Sequence, residues 1–308
     1  MYKYLSFILF LTTTFIHAPV QADVSARAGD KGAAQSMRII ASGGSITEVI
    51  YALDKEQYIV ATDSTSLYPA EAAALPKLGY FRQLSTEGIL GFAPTHLFGA
   101  QATGPETLAT QLESAGIKVH IFTEQRDLSG LQQMISEIGQ LLDTPNKAQA
   151  LNTQIEQQVA KLKYEARIRS QDSRVKQGAI TALFVMSDSD RGLTVAGGNT
   201  VPQSLFDDAG IINAAKDLPD YKVMDNESIL AANPDIIFVA SHRAKEPDAL
   251  ARLCQHPALK ATNAGRNCVI STMESSSALG LSPRYPDALK RIIQKTAAFY
   301  APELAHAQ

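Results

Sequence analysis

The chain repeats part of itself once, on either side of a segment that reads as a single long helix. Residues 87–100, EGILGFAPTHLFGA, align without gaps with residues 227–240, ESILAANPDIIFVA. Glu, Ile, Leu, Pro, Phe and Ala recur at the same relative positions. A spacing from 87 to 227 is far beyond the unit of a solenoid, so the repeat implies two similar lobes with a glutamate at the start of the same helix in each. Between the copies, residues 145–171 begin with proline and contain no further Pro or Gly. Proline is favoured at the first helical position, and Leu151, Ile155, Val159 and Leu162 keep helical spacing. A helix of about 25 residues is roughly 38 Å long, more than a crossover within one sheet needs, so it reads as a rigid strut.

The remaining pattern is that of two α/β lobes. Residues 38–42 form a short apolar strand that runs into Gly43-Gly44 and then a helix with Ile46, Val49, Ile50 and Leu53 on one face. Ser45 and Glu48 have capping-box spacing. Strands at 58–62 and 118–122 and helices at 104–115 and 128–142 follow, the last with Leu131, Ile135, Ile138 and Leu142 inward. Beyond the strut, strands are expected at 179–186, 193–196 and 267–271, with a polar turn at 187–192. Helical pieces are expected at 202–209, 246–252, 257–262 and 283–299, the last burying Ala288, Leu289, Ile292, Ile293 and Thr296. Alternating short strands and helices predict parallel sheets. The expected organisation is residues 1–22, 23–36, 37–144, 145–171 and 172–308: signal peptide, loose leader, N-terminal lobe, connecting helix and C-terminal lobe. The predicted fold is therefore two Rossmann-like lobes joined by one long rigid helix, with a ligand cleft between them.

The first residues, MYKYLSFILFLTTTFIHAPVQA, have a lysine, a short apolar run and a small-x-small end at Val20-Gln21-Ala22. That is the pattern of a cleaved signal peptide, and the run is short for a span of about 30 Å. A periplasmic or secreted protein is expected. In that compartment Cys254 and Cys268, the two cysteines of the chain, read either as a disulfide staple or as two buried thiols. Lys and Arg number 28 against 31 Asp and Glu, a net charge of −3, which argues against a nucleic-acid partner. Gly43-Gly44-Ser45 lacks the Gly-Lys-Ser/Thr ending of a phosphate loop. There is no Gly-x-Ser-x-Gly elbow and no zinc-like histidine set, so a secreted α/β enzyme is the lesser reading.

The segments SGGSITEVIYAL (42–53), ATDSTSLYPAEAAALPKLGYFRQLSTEGIL (61–90) and AGGNT (196–200) resemble the periplasmic haemin-binding proteins. These belong to the wider group of ABC-importer binding proteins for haem, corrinoids and ferric siderophores. The likeness covers essentially all of the chain after residue 36. It implies a carrier rather than an enzyme, a monomer that takes up haem between its lobes and delivers it to an inner-membrane permease with its ATPase subunit. It further implies that Tyr80, in the Gly-Tyr-x-Arg loop, is the axial ligand of the haem iron, and that Glu87 and Glu227 dock on the permease. A binder of a corrinoid or ferric siderophore is the alternative within the group.

The chemistry of these residues is compatible with that implication. A phenolate oxygen is a hard ligand for ferric iron, and tyrosine is among the axial residues of haem; the other reading of Tyr80 is a cleft-lining aromatic. Arg82 can stabilise the ligand oxygen or pair with a propionate, for which a planar fork is well shaped. Tyr68 and Phe81 can stack on a flat macrocycle. His242 and Arg243 follow the strand of the second repeat copy, and ligands in open α/β sheets lie beyond strand carboxyl ends. Some haem-binding relatives carry a second-lobe histidine after the first strand; here that loop reads Ser187-Asp188-Ser189-Asp190-Arg191, without one. Arg284, in LSPRYPDALK, is either a propionate partner or a solvent-facing arginine at a helix start. His96 and His120 fall in strands and read as structural. At Glu87 and Glu227 a helix-start carboxylate also stabilises the macrodipole, so both roles can hold together.

Overall fold

The computed structural model describes residues 36–122, 125–171, 179–189, 192–244 and 248–300. The expected signal peptide and leader lie outside them. The first part runs β1 (Ile39–Ser42), α1 (Gly44–Ala52), β2 (Ile59–Thr62), α2 (Ala70–Ala73), α3 (Thr86–Leu90), β3 (His96–Ala100), α4 (Leu108–Ser114), β4 (Lys118–Phe122) and α5 (Leu128–Leu141). Its sheet is parallel, in the order β2-β1-β3-β4. Then comes α6 (Pro145–Ser170), whose 26 residues make it about 39 Å long. The second part comprises β5 (Thr181–Ser189), β6 (Gly192–Ala196), α7 (Val201–Ala209), β7 (Ile212–Asn213), β8 (Tyr221–Asp225), α8 (Asn226–Ala232), β9 (Ile236–Ala240), α9 (Ala249–Cys254), α10 (Asn263–Arg266), β10 (Ile270–Met273), α11 (Ser275–Leu279) and α12 (Tyr285–Tyr300).

The repeat is structural as well as textual. β3 pairs parallel with β1, and β9 pairs parallel with β5. Ile89 and Ile229 are fully buried, as are Phe98 and Phe238. The turn between helix and strand passes through a left-handed residue in both copies, Ala93 (φ 44°) and Asn233 (φ 41°). The residue after the shared proline does the same work twice. Thr95 Oγ1 accepts from the Arg38 amide at 2.8 Å, and Asp235 Oδ2 accepts from the Thr181 amide at 3.0 Å. Each ties the repeat unit to the start of its lobe's first strand.

Four sequence expectations about this frame are corrected. The second sheet is mixed: in the order β10-β9-β5-β6-β8, β6 runs antiparallel to β5 and to β8. The polar stretch after residue 186 is not all turn, because β5 continues to Ser189 and pairs with Gly192. Adjacent strands joined by so short a connection can only be antiparallel, since a parallel return needs a dozen or more residues. β8 went unread because YKVMD, with three of its five residues exposed, has little apolar pattern. Helix α4 starts at Leu108 rather than 104, and residues 257–262 form turns rather than a helix.

One continuous core passes through the strut. Ile46, Val49, Ile50, Leu131, Ile135 and Ile138 of the first part join Ala148, Ile155 and Val159 of α6, and these join Phe184, Leu205, Phe206, Leu289 and Ile292 of the second. Helix α6 therefore packs on α5 on one side and on α7 and α12 on the other. Cys254 and Cys268 form a disulfide, with Cα atoms 5.4 Å apart. It clips α9 to the turn before β10.

Candidate functional site

The carboxyl ends of β1 and β2 carry the first half of the site. Gly43 turns the chain at φ 106°, and a Cβ there would lie 2.9 Å from that of Ala100. A Cβ on Gly44 would lie 2.8 Å from the Thr65 carbonyl oxygen. The helix-start amides that an anion would need are already used. Gly43 N donates to Asp63 Oδ1 at 2.9 Å and Gly44 N to Thr65 Oγ1 at 3.1 Å. The glycine pair is thus a packing turn. Asp63, buried, also accepts from the Thr65 amide and hydroxyl and from the Ser66 hydroxyl, at 2.6–2.8 Å. Ser66 meets Thr47 at 2.7 Å. Lys77 Nζ closes the loop from the other side, donating to Thr62 Oγ1, Ser66 O and Ala72 O. Burial lowers the pKa of that lysine. These bonds fix the loop at both ends and leave Leu67 and Tyr68 60 % and 48 % exposed at its tip.

The Tyr80 loop is equally well held. Leu78 N donates to Thr62 O, and Ser64 N to Gly79 O, so the chain runs along the end of β2 before Gly79 turns it at φ 93°. A 3₁₀ turn, Phe81–Gln83, follows. Gly104 N donates to Phe81 O at 3.0 Å, and Leu84 N to Gly104 O at 2.8 Å. Tyr80 itself is 44 % exposed, its ring edge-on to Phe81 at 4.8 Å. The Arg82 guanidinium lies 5.4 Å from the Phe81 ring centre. An aromatic hydroxyl on rigid backbone, beyond the strand ends of a parallel sheet, is placed where such folds bind ligands.

The second half lies at the ends of β9 and β10. His242, exposed in a 3₁₀ turn after β9, meets Ser275 Oγ through both its amide (3.1 Å) and Nδ1 (2.8 Å). The Arg243 side chain lies outside the described residues. Glu274 caps α11 through the Ser276 and Ser277 amides. Burial alone would raise its pKa, but these bonds and Arg284 hold it below the usual carboxylate range.

Arg284 is not solvent-facing, its side chain being 16 % exposed. Its Nε and Nη2 reach Glu48 at 2.9 and 2.6 Å in a bidentate pair. Nη1 lies 3.0 Å from Glu274. Its charge is stabilised by the two carboxylates although burial opposes it. The Tyr68 ring covers the guanidinium at 4.0 Å. Glu48 stands on α1, so this pair bridges the two lobes. The capping box expected of Glu48 does not form, and Gly43 caps α1 without a side chain. The signal for Glu48 was present, as a lone carboxylate between buried apolar positions of one helix, but helical spacing to Ser45 offered a local partner and no sequence rule named Arg284. Burial raises the pKa of Glu48, and the Arg284 pair offsets part of that rise.

Glu87 and Glu227 are both exposed in the first turns of α3 and α8. Ser85 and Asp225, one position before each helix, accept from Gly88 N and Ser228 N, so neither glutamate is needed as a cap. His96 and His120 are half-buried on adjacent strands, their rings stacked at 6.0 Å. Among the described residues no group of three or more His, Cys, Asp or Glu could hold a bare metal ion, and no helix is long and apolar enough to cross a membrane.

Comparison with known proteins agrees with this geometry. The family model for periplasmic binding proteins matches residues 39–276. The periplasmic heme-binding protein RhuT of Roseiflexus sp. RS-1, in apo form, is 32 % identical with a TM-score of 0.79, covering 86 % of this chain and 99 % of that one. The periplasmic heme-binding protein HutB of Vibrio cholerae is 33 % identical with a TM-score of 0.73, covering 84 % and 98 %. A more distant relative, the vitamin B12-binding protein of Vibrio parahaemolyticus, is 23 % identical over 206 residues, 67 % of this chain and 71 % of the relative. With its two α/β lobes on one connecting helix, the chain belongs to the periplasmic binding protein family.

Proposed function

We propose that the protein is a periplasmic carrier that captures haem between its lobes, with Tyr80 as the iron ligand, and delivers it to an inner-membrane ABC permease and its ATPase. The observation that carries this reading is Tyr80 itself, a phenol 44 % exposed on a loop pinned to β2 and to Gly104. Ferric iron binds hard oxygen donors, and tyrosinate is one of its protein ligands in haem. Arg82, adjacent in the chain and stacked on Phe81, supplies a cation to the same rim, suited to a propionate. Tyr68, Leu67 and Phe81 supply apolar and aromatic surface for a flat macrocycle. His242, exposed in the turn after β9, is the candidate contact from the other lobe. Relatives more than 30 % identical are described as heme-binding, which favours haem over the corrinoid that the more distant relative is named for. Glu87 and Glu227, one per lobe, are the docking points for the permease, and the carrier acts as a monomer released by a cleaved signal peptide.

The test is a haemin titration of the mature protein and of Tyr80→Ala. The expected result is a saturable Soret band with a tyrosinate charge-transfer feature, the feature being lost in the variant. Saturable binding with an unchanged spectrum in Tyr80→Ala would move the ligand elsewhere, His242 first. No saturable haemin binding, with saturable cobalamin binding in its place, would establish the corrinoid reading.

A further inference from the structure

Arg284 is surrounded by more negative charge than it carries, since Glu48 and Glu274 both bind it. A third anion gains little there, and Nε, Nη1 and Nη2 already point at carboxylates or at Ser276 Oγ. What the guanidinium has left to offer is a face, and Tyr68 lies on it at 4.0 Å. Tyr68 is nonetheless 48 % exposed. One face of its ring is therefore backed by the guanidinium, and the side chain remains about half open. The residue before it, Leu67, is 60 % exposed and gives no such backing. A tyrosine at a loop tip would ordinarily exchange rotamers; here the plane of the ring is set by a guanidinium that is itself clamped by Glu48 of one lobe and Glu274 of the other.

We propose that Arg284 is a positioning residue, which holds the Tyr68 ring as a fixed flat platform on which the bound macrocycle stacks. The assignment rests on the haem reading above. It gives Arg284 an effect on ligand affinity without contact with the ligand, routed entirely through Tyr68. Lysine at 284 keeps the charge beside Glu48 but presents no planar face, so the two functions of the arginine separate.

The experiment is a thermodynamic cycle on the mature protein: wild type, Tyr68→Ala, Arg284→Lys and the double variant, each titrated with haemin. A platform role predicts that Arg284→Lys weakens haem binding about three- to tenfold, with the Tyr80 charge-transfer feature unchanged. In the Tyr68→Ala background the same substitution should change the affinity no further. Tyr68→Phe, which keeps the ring, should retain both the affinity and its sensitivity to Arg284→Lys. Independent losses that multiply in the double variant would overturn the proposal, as would an Arg284→Lys protein with wild-type affinity. A wild-type protein without a saturable haemin spectrum removes the haem reading and this inference with it, whereas the other adverse outcomes leave haem binding intact. Should Arg284→Lys not fold, Glu48→Gln takes its place in the cycle, because it loosens the guanidinium while leaving both stacking partners present.

Discussion

The Glu48–Arg284 pair should respond asymmetrically to removal of its two members. Glu48 has a side chain 3 % exposed, and its one salt-bridge partner among the described residues is Arg284. Arg284 is 16 % exposed and keeps Glu274 at 3.0 Å if Glu48 is lost. Arg284→Met therefore strands a buried carboxylate, a change that typically costs about 3–5 kcal/mol. Glu48→Met leaves a cation still paired and partly hydrated, and the cost should fall to about 1–3 kcal/mol. The double Met variant removes both charges and should lie close to wild type, since apolar replacements of buried pairs are often neutral or better. Urea unfolding followed by circular dichroism measures all three. The pH dependence carries a second signature. In Arg284→Met the folded-state pKa of Glu48, already raised by burial, loses its offsetting partner and rises further. A raised carboxyl penalises the fold above that folded pKa and ceases to do so as the pH falls below the unfolded value. The deficit of Arg284→Met should therefore shrink on acidification. Equal costs for the two single variants, or a double variant less stable than Arg284→Met, would refute the reasoning.

Other outcomes follow from the same coordinates. Burial, and then Lys118, lowers the pKa of both His96 and His120, which stack on each other. Folded values below the unfolded one mean stability that is whole above about pH 6.5 and is lost as the pH falls through the folded values; a His96→Gln, His120→Gln protein should show a flatter profile of unfolding midpoint against pH. Reduction of the Cys254–Cys268 disulfide, which spans a separation of 14 residues, should cost about 3 kcal/mol on chain-entropy grounds, visible as a fall in Tm with reductant that a Cys254→Ser, Cys268→Ser protein does not repeat. Glu87→Lys and Glu227→Lys should each impair haem-dependent growth, and the pair more than either, with haemin binding in solution unchanged because both side chains are exposed in the first turns of their helices; reduced haemin binding would remove them from a docking role.

The architecture was legible wherever apolar periodicity is one-sided. The inward faces of α1, α5 and α12 were read to the residue, and all their named positions are buried. The strut was legible from the lack of Gly and Pro in its sequence after Pro145. The repeat identified both lobes because its apolar letters, Ile89 with Ile229 and Phe98 with Phe238, are the ones that packing demands twice. Two kinds of feature escaped. The antiparallel course of β6 escaped because buried letters do not state a strand's direction, and the edge strand β8 because its largely exposed letters carry no period. The charge cluster escaped because pairing is a property of distance in space: Glu48 and Arg284 are 236 residues apart, and each had a plausible local role as a helix cap or a helix start. The Tyr80 loop lies between these cases. Its glycine and its neighbours announce a turn, but the bonds that make it rigid run to Thr62, Ser64 and Gly104, none of which a local pattern nominates.

That rigidity bears on how a carrier of this kind takes up its ligand. A hinged binding protein closes because its connections are slack and its lobes share little core. Here α6 contributes Ala148, Ile155 and Val159 to an apolar cluster that includes residues of both sheets, so swinging one lobe away would expose buried surface along the strut. The Glu48–Arg284 bridge opposes the same motion at a second point, off the helix axis, and two separated attachments resist rotation better than one. The loops that carry Tyr68 and Tyr80 are fixed within their own lobe by Asp63, Lys77 and Gly104. Capture must then rely on a cleft whose walls are set before the ligand arrives, and the ordering cost that flexible sites incur on binding is largely avoided. A planar, rigid macrocycle with one coordination demand is a ligand such a cleft can take without closing around it.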